Sequence, residues 1–157
     1  VRECVCPEAD TVRTRCLRTE TGEVIRVAYL PYRVCPVNSL KLVGKDESDY
    51  RDKQADRRVL DEAFAMRDTA DDVLIVRHGL LTDTSTANIA LGNGCEWHTP
   101  AQPLLAGTQR RYLLDTGQIK ETDIPVASLG NYRHIRLFNA LIPFGEVELP
   151  VGQIRMY

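Results

Sequence analysis

DVLIVRHGLLTDTSTANIALGNGCEWHTPAQPLLAGTQR, residues 72–110, carries most of what the chain reveals about its fold. Val73 to Val76 is a short, unbroken, β-branched apolar run, which predicts a buried strand. Arg77-His78-Gly79 turns the chain, and Leu80 begins a return strand. Ala87 to Leu91 predicts another strand, Gly92-Asn93-Gly94 a turn, and Trp97 to Thr99 the hairpin partner. Gly107-Thr108 precedes a helix from about Gln109 to Asp115, which Gly117 stops.

Upstream, Val12 to Arg18 and Val24 to Tyr32 predict two strands of a hairpin turned at Thr21-Gly22, with Tyr29 and Tyr32 in its sheet. Leu40 to Val43 is a further extended piece, and Gly44 to Asp49 a polar linker whose acidic run, Asp46-Glu47-Ser48-Asp49, is solvated. Val59, Leu60, Ala63 and Phe64 recur at helical spacing within a segment from about Lys53 to Arg67, and Asp71-Asp72 break the pattern. Downstream, Asp123 to Pro125, Ser128-Leu129-Gly130 and an extended piece from Ile135 to Ile142 complete an α+β alternation. The expected division is a small β-rich part over residues 1–48 and a larger α+β part over residues 49–157.

The 157 residues suffice for one domain, or one domain with part of another. A formal charge of −2 leaves no basic footprint for nucleic acid. No apolar run approaches a membrane span, and no charged-then-apolar leader is present, so neither a membrane partner nor a signal peptide is expected. Cys4, Cys6, Cys16, Cys35 and Cys95 are odd in number and scattered, which argues against a disulfide framework. Only Cys4-Val5-Cys6 are close together, and His78, His98 and His134 lie far downstream, so no metal site is expected. Reduced thiols in the cytoplasm follow.

Three features could carry chemistry. Lys53, beside Asp52, Asp56 and Arg57, reads alone as a solvated charge; as a nucleophile it would have to shed its proton, which neighbouring cations such as Arg57 and Arg58 favour. Asp83 sits in a strand-like stretch followed by hydroxyls, either as part of a polar turn or as a carboxylate held for a protonated ring nitrogen. Gly107, Thr108 and Gln109 open a helix, either as an ordinary helix start or as a cradle in which free N–H groups meet an anion. Trp97 reads as core, and His98 and His134 as structural or exposed.

Taken in order, Lys53, then T-D-T-S-x-x-N-I, then W-x-T-P-x-x-P-L-L-x-G-T-Q-R, then F-N-A-L resemble the class IV aminotransferase family over about residues 12–147. The resemblance implies an α+β chain of pyridoxal-phosphate (PLP) fold type IV, like D-amino acid aminotransferase, with a partial small domain and a larger α/β domain. It implies a homodimer that binds pyridoxal 5'-phosphate and acts on a small-molecule amino substrate. Lys53 matches the lysine that holds the cofactor as a Schiff base. Asp83 stands where the family usually has glutamate facing the pyridine nitrogen. Gly107, Thr108 and Gln109 match the phosphate-binding turn.

Arg57, four residues after Lys53, and Asn139, in Phe138-Asn139-Ala140-Leu141, resemble the aminodeoxychorismate lyase members, with both residues near the cofactor. That implies a lyase converting 4-amino-4-deoxychorismate to 4-aminobenzoate and pyruvate, a step toward folate. The alternatives are a branched-chain or D-amino acid aminotransferase and a non-catalytic scaffold of the same fold. The family's opening H-x-x-R segment, whose arginine clamps the phosphate, has no counterpart before Lys53, and a charge-assisted contact of about 1.5–3 kcal/mol is expected to be missing with it.

Overall fold

The computed structural model describes residues 11–19, 21–46 and 57–157. It divides into two compact units, Val1–Cys35 and Pro36–Tyr157. The first holds the expected hairpin, with β1 (Val12–Arg18) antiparallel to β2 (Val24–Pro31). Gly22, at φ 85°, makes the turn in a conformation that side chains with a Cβ resist. The register sets Thr14 opposite Tyr29 and Cys16 opposite Val27, while Arg13 opposite Leu30 and Arg15 opposite Ala28 occupy the other face.

The second unit begins with β3 (Leu40–Gly44), followed by α1 (Arg58–Ala65) and β4 (Asp72–Arg77). β3 runs parallel to β4, with Leu40 opposite Asp72 and Val43 opposite Ile75. The compact units divide between Cys35 and Pro36, and Leu40–Gly44, expected in the smaller part over residues 1–48, pairs within the larger unit. The physical reason is the crossover. Parallel strands pair only across a long connection, and no local signal announces that pairing.

Leu60 and Ala63 of α1 pack on Val43, Val73 and Ile75, joined by Leu104 from a later loop. At the head of this βαβ unit, Asp71 Oδ2 accepts the N–H of Asn38 at 2.8 Å and of Ser39 at 3.1 Å, which holds the carboxyl below its ordinary range.

Arg77-His78-Gly79 turns as expected, with φ of 49° at His78 and 77° at Gly79, into β5 (Leu80–Thr84), antiparallel to β4. Asp46, expected only to be solvated, accepts the His78 N–H at 2.7 Å. Next come β6 (Asn88–Gly92), β7 (Trp97–Pro100), α2 (Thr108–Asp115) and β8 (Lys120–Thr122), then a 3-10 turn over Val126–Asn131. The chain ends with β9 (His134–Asn139), β10 (Ile142–Pro150) and β11 (Ile154–Arg155).

The extended piece expected from Ile135 to Ile142 is in fact the corner of a hairpin. Asn139 Oδ1 accepts the N–H groups of Leu141 at 2.8 Å and Ile142 at 3.0 Å, and so turns β9 into β10.

These strands form two sheets, β11-β3-β4-β5 and β10-β9-β6-β7-β8. On the second, Leu113 of α2 packs with Ala90, Ile119 and Phe138. Trp97 is half-buried, edge-on to Phe144 at 5.7 Å and stacked under the Arg136 guanidinium at 4.1 Å. His98 bridges the Tyr132 hydroxyl at 2.9 Å and Glu96 at 2.6 Å, a structural placement, and His134 is exposed. Among the described residues Cys16, Cys35 and Cys95 are free and exposed, no group of His, Cys, Asp or Glu could hold a metal ion, and no helix is long and apolar enough to cross a membrane.

Phe138 is fully buried at the centre of the second sheet, 5.3 Å from Phe144 in an edge-to-face pair. Phe138→Ala is expected to cost about 3–5 kcal/mol of unfolding free energy, read as a lower urea midpoint with an unchanged slope.

Candidate functional site

One of the chain's crossings between the two sheets of the larger unit is the short connection Ser85–Ala87, between β5 and β6. Thr84 closes it: its N–H donates to Ala87 O at 2.9 Å, and its hydroxyl accepts the Ala87 N–H at 3.1 Å and the Thr86 N–H at 3.3 Å. The hydroxyl-rich composition noted in the sequence therefore serves the turn itself.

Asp83 and Asn88 lie at the two ends of this turn and are 4% and 5% exposed. Asn88 Nδ2 donates to Asp83 Oδ1 at 2.9 Å and to Leu105 O at 2.7 Å, while Leu105 N–H donates to Asp83 Oδ2 at 3.0 Å. The result is a closed ring of three bonds. Burial pushes the Asp83 carboxyl up to about 6, opposed by the Asn88 amide, by the Leu105 and Leu104 N–H groups and by the nearby charge of Arg110.

Three residues from distant parts of the chain grip the same turn. The Arg57 guanidinium, just before α1, donates to Ser85 O at 2.9 Å, and its Nε lies 3.8 Å from Asp61. Asn139 Nδ2, at the end of β9, donates to Thr86 O at 3.0 Å. Asp72, at the start of β4, is raised by burial and accepts bonds from the Ser85 hydroxyl and N–H and from the Thr84 hydroxyl.

Beyond Leu105, Gly107 is the N-cap of α2 in extended conformation, φ −67° and ψ 152°, with no side chain capping the helix. A Cβ on Gly107 would lie 2.3 Å from Asn88 Oδ1, so the glycine is required by the buried asparagine as well as by any anion. The first turn of α2 exposes Thr108 and half-buries Gln109, whose Oε1 is shielded from water without a hydrogen-bond partner. Arg110, in the same turn, is buried. Its Nη2 donates to Pro100 O at 2.8 Å and to Glu121 at 2.7 Å, which fastens the helix start to the ends of β7 and β8.

The structure thus brings Arg57, Asp83 and Asn139 to one turn and sets Gly107, Thr108 and Gln109 beside the asparagine that completes it. Lys53 lies outside the described residues. Sequence reasoning missed Asn88, Asp72 and Arg110. Asn88 stood inside the quoted T-D-T-S-x-x-N-I motif, five residues after Asp83, a spacing that two strand ends facing each other across a tight turn could have suggested. Asp72 gave a weaker signal, a lone carboxylate heading an apolar strand. A shallow cleft of about 170 Å³ lined by Gly92, Gly94, Cys95, Glu96, Trp97 and His134 contains none of the expected site residues.

Residues 46–149 match the family model described as amino-transferase class IV. An uncharacterised protein of Haemophilus influenzae is 33% identical over 127 residues, which span 81% of this chain and 68% of that protein. A Schizosaccharomyces pombe protein that carries the provisional name aminodeoxychorismate lyase is 34% identical over 98 residues, 56% of this chain and 42% of that protein. Among solved structures, a provisionally named 4-amino-4-deoxychorismate lyase from Haemophilus somnus superposes with a TM-score of 0.78 at 32% identity, covering 83% of this chain and 66% of that one. A hypothetical aminotransferase from Mycobacterium tuberculosis in its PLP-bound form shares the fold, with a TM-score of 0.64 at 16% identity over 82% of this chain and 53% of that one.

An acid whose folded value lies above its unfolded value is protonated in the native state while the unfolded chain has already ionised. Its unfavourable contribution appears as pH rises from about 3.8 to about 6 and is complete above that. For Asp83 this is on the order of 3 kcal/mol. Unfolding free energies measured by urea titration between pH 4 and 8 are expected to fall with rising pH more steeply in the native sequence than in Asp83→Asn, with the two slopes converging about one pH unit above the Asp83 midpoint of about 6.

Proposed function

This chain belongs to the class IV aminotransferase family, and on that footing we propose that it acts with pyridoxal 5'-phosphate as a lyase that converts 4-amino-4-deoxychorismate to 4-aminobenzoate and pyruvate. One observation carries the reading. Arg57, Asp83 and Asn139, from three separate segments, converge on the 84–88 turn beside an uncapped helix start. The chain spans 66% of the Haemophilus somnus structure and 42% of the Schizosaccharomyces pombe relative, so the activity is assigned by this convergence and by the likeness, with a homodimer in the cytoplasm as its setting.

The donor set suits the cofactor. Gly107, with no side chain in the way, opens α2 with free N–H groups, and the Thr108 hydroxyl stands exposed beside them. The Gln109 amide has an unsatisfied buried oxygen, and a flip would offer its NH₂ to a phosphate instead. Each Asp83 oxygen accepts one bond from the protein and keeps lone-pair capacity to accept another from a protonated ring nitrogen. Above about pH 6 the carboxyl is ionised, as that role demands.

The bound cofactor supplies an electron sink for the substrate carbon that loses a proton. Lys53 is assigned to hold the cofactor's aldehyde carbon through Nζ and, once released, to carry protons to and from the substrate through the same atom. Asp83 keeps a proton on the ring nitrogen. Arg57 and Asn139 hold Ser85 and Thr86 still by their carbonyl groups, which fixes the floor on which the ring would rest.

Addition of PLP followed by desalting is expected to leave a visible absorption band, and borohydride reduction with peptide mapping to place the pyridoxyl adduct on Lys53. Absence of both at high PLP overturns the cofactor assignment. Incubation with 4-amino-4-deoxychorismate is expected to release pyruvate with no keto-acid acceptor present. Turnover that requires an acceptor would assign the chain to transamination instead.

A further inference from the structure

Asn88, to which the resemblance gives no role, joins the Asp83 carboxylate to the segment that opens α2. Both hydrogens of its amide nitrogen are used, and its oxygen faces Gly107. Nδ2 spans Asp83 Oδ1 at 2.9 Å and Leu105 O at 2.7 Å, and Oδ1 occupies the space where residue 107 would carry a Cβ, 2.3 Å from that ideal position. The Leu105 N–H returns to Asp83 Oδ2 at 3.0 Å. The carboxylate and the helix-opening turn are therefore joined both directly and through one amide, which contacts Asp83, Leu105 and Gly107 together.

We propose that Asn88 is the positioning residue of the site, coupling the Asp83 carboxylate to the Leu105–Gly107 turn so that the ring-nitrogen partner and the phosphate cradle keep a constant separation. The inference rests on the reading of Asp83 and the α2 start as cofactor ligands. It deepens that reading, because it explains why two groups on different elements act as one. A rigid ligand with its ring nitrogen at one end and its phosphate at the other needs both anchors at a set spacing, and misplacement of either weakens the other. Charge is coupled along with geometry. An amide donating to the ionised carboxylate favours that form, so loss of Asn88 leaves burial less opposed and Asp83 harder to ionise.

The test uses two variants and two readouts. Asn88→Ala deletes the bridge. Gly107→Ala deletes no polar group, and displaces the Asn88 amide by steric contact alone. The Asp83 carboxyl is titrated by ¹³C NMR in the cofactor-free protein, its signal identified by loss in Asp83→Asn, and PLP affinity is measured by absorbance titration.

Both variants are expected to raise the Asp83 midpoint, by about one pH unit or more in Asn88→Ala, and to weaken PLP binding by roughly 10-fold or more. A purely structural asparagine would lower the melting temperature and leave the Asp83 midpoint where it was. If Asn88→Ala fails to fold, Gly107→Ala decides alone through the same titration. An unchanged Asp83 midpoint in every variant that folds overturns the proposal. The two readings fail separately. A native chain that binds no PLP removes the cofactor reading, while the titration still judges the coupling. A native chain that binds PLP, with variants that keep both midpoint and affinity, removes the coupling and leaves the cofactor reading standing.

Discussion

A carboxylate shut away from water must be answered by hydrogen bonds or be neutralised, and the larger unit is built around one such carboxylate. Asp83 lies next to the end of β5 in one sheet, Asn88 begins β6 in the other, and Leu105 lies just before the second helix; their three hydrogen bonds close beside the β5–β6 crossing between the sheets. Each partner is bonded to both of the others. Removing any one of them would leave a buried polar atom unpaired, a change that costs more than the bond contributes. The ring is thus a constraint on geometry before it is a source of stability.

The surrounding structure serves that constraint. The first sheet supplies the buried strands that carry Asp72 and Asp83 to the same end, with α1 packed through Leu60 and Ala63 on Val43, Val73 and Ile75. In the second sheet, α2 is seated through Leu113 on Ala90 and Phe138, and its first turn is fastened by Arg110 to Pro100 O and Glu121. Arg57 and Asn139 then hold the carbonyl groups of Ser85 and Thr86 from opposite ends of the sequence. A turn of three residues, which alone would be the most mobile part of such a unit, is gripped by Arg57, Asn139 and Asp72. Rigidity of this kind is what a site needs when its ligand must be held at a ring nitrogen and a phosphate together.

Polar groups in this region serve two levels at once. The threonines and serines of the 82–86 segment complete local turns: the Thr82 hydroxyl donates to Ile75 O at 2.9 Å, and Thr84 closes the crossover. Asn139 turns β9 into β10 with its oxygen and holds Thr86 with its nitrogen, a single side chain joining a local hairpin to the site. Gly107 is demanded by Asn88 and also leaves the helix start open. Residues of this sort resist substitution for two independent reasons, which is why short motifs built from them are legible.

The sequence by itself determined the elements that depend on near neighbours. The β1–β2 hairpin, the buried run at Val73–Val76, the Arg77-His78-Gly79 turn and the helix opening at Gly107-Thr108 each follow from propensity, periodicity and turn chemistry over a few residues. The order of its motifs also carried the family, and with it Arg57, Asp83, Asn139 and the Gly107–Gln109 segment as candidates for the site. Only the tertiary structure decided what those residues touch. The parallel pairing of β3 with β4, which places Leu40–Gly44 in the larger unit, joins strands separated by a helix. The β9–β10 corner carries no glycine to announce it, because the turn is made by the Asn139 side chain. Asn88, Asp72 and Arg110 escaped notice for the same physical reason. A buried polar residue is recognised by its partners, and the chain brings those partners from segments far apart in sequence only when the sheets close around them.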